Sequence, residues 1–219
     1  MRVIYFPSCK FTAQFPEASK KIKEYVQCKH HAQIAGYCKQ NLNKITSDDI
    51  VICICHTCAA FFQESSSAGK VISIWEVLLG DDDFVYPDYA GKQLTVQDCW
   101  YAYDNKAQQD AVRKILEHMN LDVLEMADHH DKTRFCGCSL YTPLAEKYDK
   151  LAPRRLVADA QGLFISHSKE EQARLMEAHC NNISTDEVAC YCFSCLNGIN
   201  LGGKKGVHIA ELVFDMYDG

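Results

Sequence analysis

The sequence predicts an α/β fold of two repeated, tightly packed units with mainly parallel sheets. Three observations lead there. A cysteine-bearing segment occurs twice, short apolar runs alternate with amphipathic helical stretches, and cysteines follow soon after the predicted strands. Strands that alternate with helices imply a mainly parallel sheet.

The repeat is read directly. Ser47–Cys58 is SDDIVICICHTC and Ser184–Cys195 is STDEVACYCFSC. Ser47, Asp49, Val51, Cys53, Cys55 and Cys58 match Ser184, Asp186, Val188, Cys190, Cys192 and Cys195 without a gap. Each segment reads as an acidic turn, a short strand and Cys-x-Cys-x-x-Cys. Farther on, Ile74-Trp75-Glu76-Val77 resembles Ile209-Ala210-Glu211-Leu212, each reading as a strand that runs into a helix. The two halves also start alike. Val3–Phe6 is a predicted strand leading to Cys9, and Gln93–Val96 one leading to Cys99.

Helices follow both. In Glu17–Cys28, Ala18, Ile22, Tyr25 and Val26 share one face, and in Asn105–Met119 so do Ala107, Ala111, Val112, Ile115, Leu116 and Met119. These stripes predict core packing. Between Cys138 and Ser184 the second half is longer, and Ser168-x-x-Glu171 has the pattern of a capping box that opens a helix to about Cys180. The polar stretch from Asp81 to Gly91 reads as a linker, so the predicted repeats cover 1–85 and 92–219.

No run approaches the ~20 apolar residues of a membrane span. The net charge of −6 argues against a nucleic-acid partner, which usually shows a basic face. Hydrophobic content of 47% supports a core that needs no staples. The 13 cysteines are an odd number, and the start MRVIYFPSCK reads as a strand rather than a signal peptide. A cytoplasmic chain with closely spaced thiols points to metal or redox chemistry over structural disulfides.

Two sets carry that chemistry. Cys9, Cys38, Cys55 and Cys58 come from three predicted loops. Cys99, Cys136 (with Cys138), Cys192 and Cys195 follow in the same order. Each Cys-x-x-Cys is predicted to open a helix, whose N–H groups and positive end favour thiolate. Three readings stay open at this point: zinc in each half, an iron–sulfur cluster, or a bare redox dithiol.

The layout resembles the CCG-domain (cysteine-rich domain) family, which includes the disulfide-cleaving iron–sulfur component of heterodisulfide reductase and iron–sulfur components of glycolate and lactate oxidation systems. The matching pieces are Tyr5-Phe6-Pro7-Ser8-Cys9, Gln97-Asp98-Cys99, Cys136-Gly137, Cys192-Phe193-Ser194-Cys195 and Val207-His208-Ile209-Ala210-Glu211-Leu212. The resemblance implies a 4Fe–4S cluster, cubane or non-cubane, on each set, while the cysteines by themselves leave the alternative of a non-catalytic zinc-binding or scaffold protein. It implies disulfide reduction or electron transfer, and so an oxidoreductase or an electron-transfer component. The implied partners are a flavoprotein or another iron–sulfur protein, and a small disulfide substrate. The family's adjacent cysteine pair is absent from both halves. Phe135 precedes Cys136, and Cys38 stands between Tyr37 and Lys39. Cys138, Cys53 or Cys190 substitutes for the missing thiolate, or an ordinary four-cysteine cluster forms.

The remaining candidates have plainer readings. Cys53 and Cys190 divide between ligand and core, and Cys28 and Cys180 have no repeat partner. His30, His31, His129, His130 and Asp131 read as loop residues, and Arg154 and Arg155 as a surface pair. His56 is placed to donate to a cluster sulfur or to face solvent, and His208 to pack near the second set. The second set is expected to be the reactive one. It has more cysteines, the Cys-Gly step and an insertion long enough for a lid. No Ser–His–Asp order, phosphate loop or dinucleotide motif occurs.

Overall fold

The computed structural model describes residues 1–144 and 146–217. The chain divides into two units, Met1–Leu78 with Leu144–Gln161, and Leu79–Pro143 with Gly162–Gly219. The helices run in order as α1 (Cys9–Gln14), α2 (Pro16–His30), α3 (His56–Ser65), α4 (Ile74–Leu79) and α5 (Lys106–His118). Then come α6 (Glu146–Asp149), α7 (Lys169–Cys180), α8 (Phe193–Leu201) and α9 (Ile209–Val213).

Unit 1 holds strands β1 (Arg2–Phe6), β2 (Gln33–Ile34), β3 (Asp49–Cys53) and β4 (Lys70–Ser73), in the spatial order β2-β1-β3-β4. All pairs are parallel, with Phe6 opposite Cys53 and Cys53 opposite Ser73. Helices cover a parallel sheet on its faces, so its central strand is apolar without alternation. That explains the run Val51–Ile54, which is buried throughout. Arg2 Nε donates to Asp49 Oδ1 at 2.8 Å and fixes the start of β1 on β3.

Unit 2 repeats the plan. Strands β5 (Gln93–Gln97), β6 (Asp122–Leu124), β7 (Glu187–Cys190) and β8 (Lys205–His208) form a parallel sheet in the order β6-β5-β7-β8. Gln97 is opposite Cys190, and Cys190 opposite His208. The two sheets therefore have the same strand order, and the α/β class with two parallel-sheet units is as the sequence indicated. Open sheets of this kind place their sites outside the carboxyl ends of the strands.

The helices start where the local chemistry allows. Pro16 opens α2, where its missing N–H costs nothing. Asn105 accepts from the Gln108 amide to cap α5. Ser168 and Glu171 form the capping box expected of α7. The predicted stripe of α2 is buried at Ala18, Ile22 and Val26. On α5 the buried set is shifted. Ala107 is exposed while Gln108 and Gln109 are buried, because Gln109 Nε2 donates to the Ala102 carbonyl at 3.0 Å. Ile74 and Ile209 are the first residues of α4 and α9, so the strands end just before the two matched pieces.

The unit boundaries depart from the expected repeats at two places. The first segment of unit 1 ends at Leu78, and the expected linker belongs to unit 2, where Tyr89 Oη donates to the Leu212 carbonyl at 2.9 Å. Leu144–Gln161, expected within the second repeat, belongs to unit 1. Ser65 Oγ donates to the Leu151 carbonyl at 2.6 Å, and the Arg154 amide donates to Glu64 at 2.7 Å. No helix among the described residues is long and apolar enough to cross a membrane.

Candidate metal centre

In unit 2 the sulfur atoms of Cys99, Cys136, Cys192 and Cys195 all lie within 4.8 Å of one another. Cys99 follows β5. Cys136 caps the 3₁₀ turn Gly137–Tyr141, Cys192 caps α8, and Cys195 lies in the first turn of that helix. The Cys99–Cys136 and Cys136–Cys192 separations are 3.6 and 3.8 Å. A tetrahedral ion with ~2.3 Å bonds to sulfur sets its ligands about 3.8 Å apart. Four cysteines are also the donor set of a 4Fe–4S cluster. The residues present therefore fit a thiolate-bound metal.

Cys99, Cys136 and Cys195 are buried and Cys192 partly so. Burial, followed by the neighbouring sulfurs, pushes the Cys99 and Cys195 thiols well above the ordinary range. The hydrogen bond with Cys192 raises Cys136. Four packed thiols cannot all ionise by themselves. A bound cation reverses this, because a coordinating thiol is deprotonated outright.

The loops are held by a polar network in which Arg113, Tyr191 and His179 carry no signal in the sequence. Asp98 is fully buried beside Cys99. Its carboxylate accepts from Arg113 Nη1 and Nη2 at 3.1 and 2.7 Å, from Tyr191 Oη at 2.6 Å and from the His130 amide at 2.6 Å. The Tyr191 hydroxyl in turn accepts from the Cys99 amide at 3.4 Å. Burial works to raise the Asp98 carboxyl, but Arg113, Tyr191 and the His130 amide outweigh it and hold the group below its usual value. Gln97 Nε2 donates to the Asp98 carbonyl at 2.8 Å, and Gln97 Oε1 meets His179 Nε2 at 2.6 Å. The position of Asp98 beside Cys99 was the one signal for this anchor.

Gly137 has a φ of +55°, and an added Cβ would strike the Ser194 carbonyl. A Cβ on Gly198 would stand 2.6 Å from Gly137 Cα. These two glycines let the Cys136 turn lie directly on α8, which gives the Cys-Gly step a physical role.

The other cysteines fall outside this group. Cys138 is half-buried and not among the four. Cys190 is buried with Sγ 3.8 Å from the Val188 carbonyl, and Cys180 Sγ is 3.5 Å from that of Ile199. Cys53 is buried and Cys28 exposed. In unit 1, Cys38 and Cys58 have sulfurs 3.1 Å apart, while Cys9 is exposed and Cys55 half-buried. Among the described residues, the first set forms no group of three or more within 4.8 Å. The hydrogen bond from Cys58 lowers the Cys38 thiol, and the same contact raises Cys58 well above its usual value.

Several polar candidates have local roles. His208 Nδ1 accepts from the Ala210 amide at 3.2 Å and caps α9. Arg154 pairs with Asp159 at 3.0 Å, and Arg155 is buried. His30 meets the Tyr25 hydroxyl at 3.4 Å, and His31 ends α2 in the left-handed region. His56, in the first turn of α3, is buried. His129 and His130 approach Glu125 closely enough to form a second group, but Arg113 holds both oxygens of that carboxylate at 2.6 and 2.8 Å.

Fold and site together define a two-unit α/β protein whose second unit brings four cysteines close enough together to hold a metal. In comparisons with known proteins, no family model matches the chain and no curated protein matches it.

Proposed function

We propose that the protein is an iron–sulfur protein of the heterodisulfide reductase type, active in electron transfer or disulfide reduction. The observation that carries metal binding is the convergence of Cys99, Cys136, Cys192 and Cys195 within 4.8 Å, and the choice of iron–sulfur chemistry rests on the sequence resemblance. The doubled unit and the sequence resemblance support it. When bound, such a group supplies one-electron chemistry at a potential set by its surroundings.

The chain's own residues do the rest. The four thiolates hold the group, and burial keeps water from it. The Asp98–Arg113 pair fixes the Cys99 loop without adding net charge, and Cys192 and Cys195 stand at the positive end of α8. A redox partner, such as a flavoprotein or another iron–sulfur protein, belongs to this reading. So do a small disulfide substrate and a cytoplasmic compartment, where thiols stay reduced.

The sulfur spacing favours a second reading. Separations of 3.6 and 3.8 Å match the edge of a tetrahedron around one ion, which suits a structural zinc. Anaerobic purification followed by iron, zinc and acid-labile sulfide analysis, with visible absorption, separates the two. Iron and sulfide in a coloured protein are expected. A colourless protein with stoichiometric zinc overturns the proposal.

A further inference from the structure

In unit 2, Glu125, His129 and His130 bring their ligand atoms within 4.8 Å of one another, and none of the three belongs to the four-cysteine group. The backbone explains the approach. Side chains of consecutive residues in an extended chain point to opposite sides. His129 is extended, with φ −94° and ψ 165°, but His130 lies in the left-handed region at φ +56°. The His130 amide donates to Asp98 at 2.6 Å and ties down this conformation. The two rings are thereby turned on each other, with Nδ1 atoms 2.6 Å apart and ring planes at 78°. Strained backbone of this kind gathers at ligand clamps. The surroundings are those of metal ligands. Ligating histidines commonly give their second ring nitrogen to a carboxylate, and ligating carboxylates are themselves hydrogen-bonded. His130 Nε2 lies 3.7 Å from Asp110 Oδ1, whose carboxylate also holds Lys106 Nζ at 2.9 Å. Glu125 accepts from Arg113 Nε and Nη2 at 2.6 and 2.8 Å. An ionised carboxylate has about four lone-pair sites, so these two bonds leave Glu125 room for a cation. Asp98 pairs with Arg113 at 2.7 Å and offsets its charge. Asp128 and Asp131 flank the histidines in sequence and add to a field that attracts a dication.

We propose that Glu125, His129 and His130 bind one zinc ion, at a second metal site built on the loop that Asp98 anchors, with water in the fourth position. Two histidines and a glutamate are a known donor set for zinc. Zinc takes imidazole nitrogen at about 2.0–2.1 Å, which sets two tetrahedral nitrogen ligands about 3.3 Å apart. With both Nδ1 atoms on the ion, the rings part by about 0.7 Å from their present 2.6 Å. The ring that carries its proton on Nδ1 in the present contact then carries it on Nε2. The site uses nitrogen and oxygen donors and no cysteine, so it is independent of what the four thiolates hold and of the iron–sulfur reading.

The test uses the full chain, purified anaerobically, with zinc chloride alone as the probe. Zinc is titrated against a chromophoric chelator in the unmodified protein and in His129→Ala/His130→Ala, and iron and sulfide are counted in both. At saturation the unmodified protein is expected to hold one zinc ion per chain more than the variant, with equal iron and sulfide. Circular dichroism checks the fold of the variant. Because the double substitution touches the loop that Asp98 anchors, a second measurement uses the unmodified protein only. Diethyl pyrocarbonate acylates accessible imidazoles, and mass spectrometry of the digest reads each histidine. Zinc is expected to protect His129 and His130 and to leave the exposed His31 of unit 1 reactive. Equal zinc stoichiometry in the two proteins, or acylation of His129 and His130 that zinc does not change, overturns the proposal. So does zinc uptake matched by loss of the metal held by cysteine, which is exchange at the thiolates. The iron and sulfide contents before zinc is added test the iron–sulfur reading separately, so failure of either reading is seen on its own.

Discussion

Gly137 and Gly198 lie so close that a methyl group on Gly198 would stand 2.6 Å from the α-carbon of Gly137. One belongs to the turn after Cys136 and the other to the helix begun by Cys192. Their contact sets how near the third thiol approaches the Cys-x-x-Cys pair. Gly137→Ala therefore combines strain at a positive φ, about 1–3 kcal/mol, with overpacking of about 1–3 kcal/mol. The expected outcome is a lower urea midpoint together with substoichiometric metal. Lys39→Ala, at the corresponding place in unit 1, is expected to leave the metal content unchanged. A fully metallated and equally stable Gly137→Ala protein would show that the close approach is unimportant.

Metal content should follow the four-member group and no other cysteine. Cys195→Ser removes one of the four thiolates and is expected to lose the metal. Cys138→Ser is expected to keep it, since Cys138 is outside the group. Metal analysis of the two variants beside the unmodified protein is the measurement. Loss of metal in Cys138→Ser would make that thiol a ligand.

Asp98 gives a pH dependence with a definite sign. Its carboxyl is held below its usual value in the fold, so the unfolded chain binds a proton more readily. The stabilisation is complete above the unfolded value of about 3.9 and is lost as pH falls through the folded value. Asp98→Asn leaves half-buried Arg113 without this partner. Breaking a fully buried pair costs about 3–5 kcal/mol, an upper bound here because Glu125 still holds Arg113. In urea titrations the gap between the unmodified protein and Asp98→Asn should be constant near neutral pH and close in acid. A gap that persists unchanged through the acid range removes the carboxylate from the explanation.

The parts of this fold that could be read in the sequence are those governed by short-range pattern. The strand before each Cys-x-x-Cys is a run of buried residues, and α2 and α7 follow from periodicity and caps. The gap-free match of Ser47–Cys58 to Ser184–Cys195 gave the doubled sheet. The polar anchor was illegible because its members are far apart in the chain: Asp98, Arg113, His130 and Tyr191 show no periodicity. Burial of Gln109 on α5 depends on one carbonyl, that of Ala102, and a hydrophobic stripe cannot report it. The assignment of Leu144–Gln161 to unit 1 rests on bonds to Ser65 and Glu64, which sequence adjacency hides. The two cysteine sets looked equivalent because their spacing is similar. Their difference lies in what packs behind the thiols, glycine at 137 and 198 against Lys39 and Phe61.

Tyr191 provides the sharpest test of how the loops are held. Its hydroxyl donates to Asp98 at 2.6 Å and accepts from the Cys99 amide at 3.4 Å, so one oxygen joins the Cys99 loop to the residue beside Cys192. Tyr191→Phe keeps the ring and removes only that oxygen. The buried Cys99 amide then lacks this acceptor, at a cost of about 1–3 kcal/mol. Residues that orient ligands in this way typically change metal affinity by about 10–100-fold. Tyr191→Phe is thus expected to fold, to bind metal at the same stoichiometry, and to lose it to a competing chelator at about 10–100-fold lower chelator concentration. If the chelator curves of the two proteins coincide while the stability falls, the hydroxyl serves the core and not the metal centre.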